Sequence, residues 1–208
     1  MLLAFDTATP AVTVALHDGT AVVAESTMVG AMRHGELLAP GIEQVLADAG
    51  VTPRDLTRIA VGVGPGPFTG LRVGVMTARI MGAVLAIPVV GVCTLDVVAA
   101  AVMSEEPFLV ATDARRKEVY WATYDRESRR TDGPHVAKPD MVATRCPVAG
   151  RGASLYPEAF PHAIDPEHPD AAHLARLVVG AELSPLSPEP LYLRRPDAVE
   201  ASARKRVL

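Results

Sequence analysis

Cysteine is scarce in this chain, with only Cys93 and Cys146 among 208 residues and no metal-type spacing between them. At most one disulfide is available, and reduced cytosolic thiols are the expected state. His17, His34, His135, His162, His168 and His173 never stand four residues apart, so no helical metal pair is indicated. No G-x-S-x-G elbow is present, which removes the signature of one large class of serine hydrolases. Apolar runs are broken by Gly, Pro, Arg or Asp before the roughly eighteen residues that a membrane span needs. The N-terminal "MLLAFDTATP" lacks a basic leader region and is interrupted by Asp6, so it reads as a first strand and not as a signal peptide. A net charge of −4 argues against a broad basic face that grips nucleic acid. One basic cluster does occur near the C-terminus (Arg194, Arg195, Arg204, Lys205, Arg206), and it reads either as a phosphate-contacting tail or as a solvated, partly disordered end.

What is present is a globular pattern of short strands and helices, with nearly half of the residues hydrophobic. "LLAFDTA" is an apolar strand that ends in Asp6. "VTVALHDG" and "TAVVAESTMV" follow as a hairpin turned at Asp18-Gly19. Helical periodicity spans Glu36 to Ala49, with Pro40 expected to kink it, and Gly50 stops it. "RIAVGVG" is a buried strand, Thr69 to Ala86 a helix, "VVGVC" a strand and Thr94 to about Met103 a helix. The second half repeats the pattern loosely. "FLVATDA" ends a strand in Asp113, "EVYWATYDRES" is its alternating partner, "PVAGRGA" parallels "AVGVGPG", and "DAAHLARLVVGAEL" is an amphipathic helix. This implies an α/β chain of two lobes, each a mixed sheet with helices, divided near Ser104-Pro107 into residues 1–104 and 105–208. Asp6 and Asp113 take matching places and face a cleft between the lobes. Each either helps to hold a magnesium–phosphate group or caps its own turn.

The Gly-rich loop "VGVGPGPFTGLRVG" lacks the Lys-Ser/Thr pair of a Walker A loop, and its glycines do not form G-x-G-x-x-G. Pro65 and Pro67 carry no N–H, so Gly64 and Gly66 sit in a poor phosphate nest. Thr69 is a candidate cap for the next helix. Within that helix the only charges are Arg72 and Arg79, on one side. Gly70, Gly74, Ala78 and Gly82 form a ridge of small residues, and bulky apolar residues cover the rest. A helix apolar nearly all round needs covering on more than its sheet side. The second cover is either another subunit meeting the small ridge or the chain's own lobe.

The segments "LLAFDTAT", "RHGELLAPGIEQVL", "AVGVGPGPFTGLRVGV", "IPVVGVCTLDVVA", "DARRKEVYWATY" and "PLYLR" resemble the bacterial TsaB (YeaZ) family, in order and over most of the chain. The resemblance implies the actin-like ATPase fold shared by sugar kinases and Hsp70. It also implies a non-catalytic part in threonylcarbamoylation of adenosine 37 in ANN-decoding tRNAs. The partners implied are the catalytic paralogue TsaD and the ATPase TsaE. A homodimer is implied for the isolated chain, tRNA is met only through the complex, and the location is cytoplasmic. Catalytic relatives carry a metal-binding H-x-x-x-H whose places fall here on Thr94 and Val98, and valine cannot ligate a metal. No catalytic residue, metal or cofactor is therefore implied within the chain, and nucleotide only at the TsaB–TsaD junction. By the same resemblance the contact with TsaD uses the helix near Thr69 and that from Glu36, with candidates Leu38, Ile42, Val45, Gly70, Gly74, Ala78, Met81 and Gly82. Asp6, Gly64, Gly66 and Asp113 become relics of a nucleotide loop. Two alternatives stand beside this reading: an actin-fold ATPase or kinase acting on a small molecule, and, with little support, a metallopeptidase.

Overall fold

A computed structural model describes residues 1–30, 33–181 and 185–194. Arg195, Arg204, Lys205 and Arg206 of the basic cluster lie outside the described residues. The chain begins with β1 (Leu2–Asp6), β2 (Ala11–His17) and β3 (Val22–Val29), and continues through α1 (His34–Asp48), β4 (Arg58–Gly62), α2 (Phe68–Leu85), β5 (Val89–Val92) and α3 (Thr94–Ala99). The second half holds β6 (Phe108–Asp113), β7 (Val119–Tyr124), β8 (Arg130–Ala137), β9 (Val148–Ala149), α4 (Arg151–Leu155), β10 (Ala163–Ile164) and α5 (Ala171–Val179).

The two sheets repeat one topology. The first runs β3-β2-β1-β4-β5 and the second β8-β7-β6-β9-β10. In each, three antiparallel strands lead into two parallel ones, so β1 and β6 are equivalent central strands. Asp6 and Asp113 end those two strands. The mixed two-lobed α/β architecture expected from the sequence is what the chain forms.

Central strands carry parallel neighbours and are buried on both faces, so each sheet needs helices on both sides. On β1, Leu3 and Phe5 pack with Leu38, Ile42 and Val45 of α1 and with Val75 and Ala78 of α2. The alternate residues Leu2 and Ala4 pack with Leu174, Ala175 and Leu177 of α5. Burying each such aliphatic side chain stabilises the lobe by about 1.5–3 kcal/mol. In the second sheet, Phe108 and Val110 face Leu95 and Val98 of α3, while Leu109 and Ala111 face Ala153 and Phe160.

This arrangement corrects the division at residue 104. α5 belongs to the first sheet, not the second, because only there does an uncovered apolar face await it. Leu186 and Leu191, beyond α5, also bond to the first lobe. Leu186 exchanges two backbone hydrogen bonds with Gly91 on the edge of β5, at 2.8 and 2.9 Å, and Leu191 N–H donates to the Val63 carbonyl at 2.8 Å. α3 lies between the lobes and contributes to both cores.

Pro40 lies inside α1 well past its first turn. Pro40 and Glu36, whose carbonyl loses its helical partner, are both exposed to water. One local expectation changes. Thr69 does not cap α2, which starts at Phe68 after Pro67 with no side-chain cap.

Candidate functional site

Asp6 is fully buried at the end of β1. Its Oδ1 accepts from the Ala8 N–H at 2.7 Å, and Oδ2 accepts from the Thr94 hydroxyl, also at 2.7 Å. Thr94 in turn accepts from Gly64 N–H at 3.1 Å and donates its own N–H to the Gly64 carbonyl at 2.8 Å. Gly64 holds φ +96°, a conformation open to glycine and strained for other residues. Asp6, Thr94 and Gly64 therefore form one buried network that pins the Gly-rich loop to the first strand. Gly66 packs so closely on Ala8 that an added Cβ would collide with its backbone. Asp113 repeats the turn alone: its Oδ1 accepts from Arg115 N–H at 2.7 Å, and Arg115 Nη1 lies 3.4 Å from its Oδ2.

The two turns do meet across a cleft. Thr9, Pro10, His34, Pro67, Thr69, Gly70 and Arg115 line a cavity of about 280 Å³. His34 Nε2–H donates to the Thr9 carbonyl at 2.7 Å. Both Asp6 oxygens are engaged inside the lobe, and Pro65 and Pro67 offer no N–H to the loop. Thr94 is committed to the same network, and Val98 is buried in the core beneath α3. Among the described residues no group of three His, Cys, Asp or Glu side chains stands together.

Burial pushes the Asp6 carboxyl above the usual carboxylate range, opposed by the Ala8 N–H, the Thr94 hydroxyl and the charge of His34. The fold thus favours the neutral acid. The associated stability is fully present below the ordinary carboxylate pKa and is lost as pH rises through the raised value. Asp6→Asn should therefore gain on the wild type as pH climbs from acid to neutral, after a constant offset from reversing the Thr94 hydrogen bond. Denaturant unfolding of both proteins across that range measures it; a pH-independent difference would refute the prediction.

The sequence candidates for a partner face point the other way. Leu38, Ile42 and Val45 are buried in the first core. Gly70 and Gly74 lie against Thr7, whose hydroxyl donates to the Gly70 carbonyl at 2.8 Å, Ala78 is fully buried, and Gly82 abuts Val89. Met81 is half-buried and packs on the same core. The small ridge is how α2 approaches its own sheet: glycine and alanine allow backbone-to-backbone proximity there. Its opposite side carries the free surface. Met76, Ile80 and Val84 follow one another at helical spacing and are 47%, 58% and 78% exposed. Arg72 begins this row, with its guanidinium 3.7 Å from the Phe68 ring centre and its Nε–H donating to Tyr192 at 3.1 Å. α2 is long and apolar enough to cross a membrane, with a mean hydropathy of 1.3 over 18 residues, but in this fold one side of it is part of the core. The missed signal was in the sequence: Arg72 and Arg79, the only charges on the helix, mark its solvent side.

The "PLYLR" segment braces the base of this face. Tyr192 stacks on Phe68 with ring centres 5.1 Å apart. Arg194 donates to the Ala114 carbonyl at 3.0 Å and pairs with Glu118, so the segment ties the Gly-rich loop to the second lobe.

Known proteins share this fold. A family model for TsaD, tRNA N6-adenosine threonylcarbamoyltransferase, matches residues 27–149. YeaZ of Pseudomonas aeruginosa superposes with a TM-score of 0.78 at 32% identity, over 92% of this chain and 99% of that one. The chain belongs to the TsaB (YeaZ) family. TsaB of Escherichia coli, described as a tRNA threonylcarbamoyladenosine biosynthesis protein, is 35% identical over 152 residues, covering 69% of this chain and 65% of the relative. An uncharacterized Mycobacterium tuberculosis protein is 44% identical over 201 residues, covering 95% and 93%. The repeated sheet topology is thus the two-lobed fold of the TsaB (YeaZ) family.

Proposed function

We propose that this chain is a non-catalytic subunit in the biosynthesis of threonylcarbamoyladenosine in tRNA, acting in the cytoplasm through a TsaD-type catalytic partner. The observation that carries this reading is the exposed apolar row Met76–Ile80–Val84 on α2. A helix with one side in its own core and three consecutive apolar turns facing water is the profile of a docking element. In this reading TsaD covers that row, and TsaE joins the assembled pair. A second copy of the chain covers the row when TsaD is absent. tRNA is met only through the complex, and the modified base is A37 of ANN-decoding tRNAs.

The non-catalytic assignment is supported by Thr94 and Val98. Where catalytic relatives are expected to carry metal-binding histidines, this chain has a hydroxyl held by Asp6 and a core valine. The chain needs no cofactor of its own in this role, and any nucleotide would lie at the junction with TsaD. The rival reading, an actin-fold ATPase or kinase, requires nucleotide binding by the isolated chain.

Reconstitution with threonylcarbamoyl-adenylate as donor, ATP, unmodified tRNA, TsaD and TsaE tests the proposal, each protein being omitted in turn. Modification is expected only when this chain and TsaD are both present. Transfer by this chain alone, or full transfer without it, would overturn the assignment.

A further inference from the structure

A larger cavity lies elsewhere, on the side of α3 between the lobes. It measures about 820 Å³, within the range of small-ligand sites, and its walls include Cys93, Asp96, Ala100, Arg130, Leu177 and Leu186. Its polar floor is a buried carboxylate beside an incompletely used guanidinium. Asp96 Oδ1 accepts from the Tyr124 hydroxyl at 2.8 Å and lies 3.4 Å from Arg130 Nε.

Arg130 is held only by long contacts. Its Nη1 is 3.4 Å from the Gly133 carbonyl and 3.9 Å from the Cys93 sulfur. A guanidinium that binds a carboxylate well does so through two short parallel bonds, and Arg130 makes none. Burial pushes the Asp96 carboxyl up, and the charge of Arg130 and the Tyr124 hydroxyl only oppose that shift. The same surroundings push the Cys93 thiol up to about 12, so the cavity lacks a reactive nucleophile. Leu177 and Leu186 offer an apolar wall beside Asp96 and Arg130, and the paired side chains Glu127 and Arg129 stand at the cavity as well.

We propose that this cavity binds an α-amino acid, with the ligand ammonium on Asp96 and its carboxylate on Arg130. One such ligand meets both charges at once and leaves its side chain against the leucines. The site is separate from the α2 face, so neither TsaD nor tRNA is needed to detect it.

The test uses the isolated chain with each free amino acid at about 10 mM, read by thermal unfolding and by ligand-observed saturation-transfer NMR. At a tenfold excess over Kd, the binding amino acid should raise Tm by about 3 °C. Its N-acetyl form lacks the ammonium and its amide lacks the carboxylate, so neither should bind. Arg130→Gln should abolish the shift. Ala100→Trp should abolish it as well, by filling the cavity while leaving every polar group in place. This pair avoids relying on Asp96→Asn, which also disturbs Tyr124. Absence of any shift or saturation transfer across the amino acids would overturn the proposal. So would binding that survives both variants or is retained by the blocked derivatives.

Discussion

Ile80→Glu is expected to abolish assembly with TsaD while leaving the isolated chain folded. Ile80 sits at the centre of the exposed row on α2, with Met76 one turn before it and Val84 one turn after. In the free chain a glutamate there meets water, and exposed substitutions of this kind change stability by about 0.5 kcal/mol or less. In the complex it becomes an unpaired charge within an apolar contact. Such burial costs on the order of 3–5 kcal/mol, which weakens binding by roughly two to four orders of magnitude. Light scattering on size-exclusion fractions, with and without TsaD, reads association, and thermal unfolding reads the fold. Val84→Glu should behave alike. Undiminished complex formation by both variants would mean that α2 is not the docking element.

Gly74→Arg should do the reverse and unfold the first lobe. A Cβ at Gly74 would collide with the Thr7 hydroxyl, which is itself bound to the Gly70 carbonyl. The added side chain has no exit, because Ala78 and Val75 are fully buried beside it. Overpacking and a buried unpaired cation together should cost on the order of 5 kcal/mol, comparable to the entire stability of many domains. Little soluble protein is expected, and what is recovered should melt far below the wild type. A near-normal Tm for Gly74→Arg would place the small ridge at the surface and reverse the orientation of α2. Together the two substitutions separate the inward and outward sides of one helix.

The sequence by itself determined a good deal. Short-range patterning marked the strands ending in Asp6 and Asp113, the hairpins after them, and the helices, because alternation and helical periodicity are local properties. The order of those pieces also carried the internal repeat, which the two sheets reproduce strand for strand. Family membership rested on the Gly-Pro-Gly block and its neighbouring segments.

Tertiary structure alone decided the sides and the long-range returns. Periodicity says which residues of α2 share a face, but when almost every face is apolar it cannot say which one meets the sheet. Backbone proximity decided that, by drawing Gly70, Gly74 and Gly82 inward and leaving Met76, Ile80 and Val84 outside. The return of α5 to the first sheet was likewise hidden, since its apolar stripe could have served either lobe. The uncovered side of Leu2 and Ala4 claimed it. The Asp6–Thr94–Gly64 network and the Asp96–Arg130–Tyr124 floor join residues that lie about 30 or more positions apart along the chain. No local pattern records such meetings, because they exist only once the sheets have brought their strand ends together.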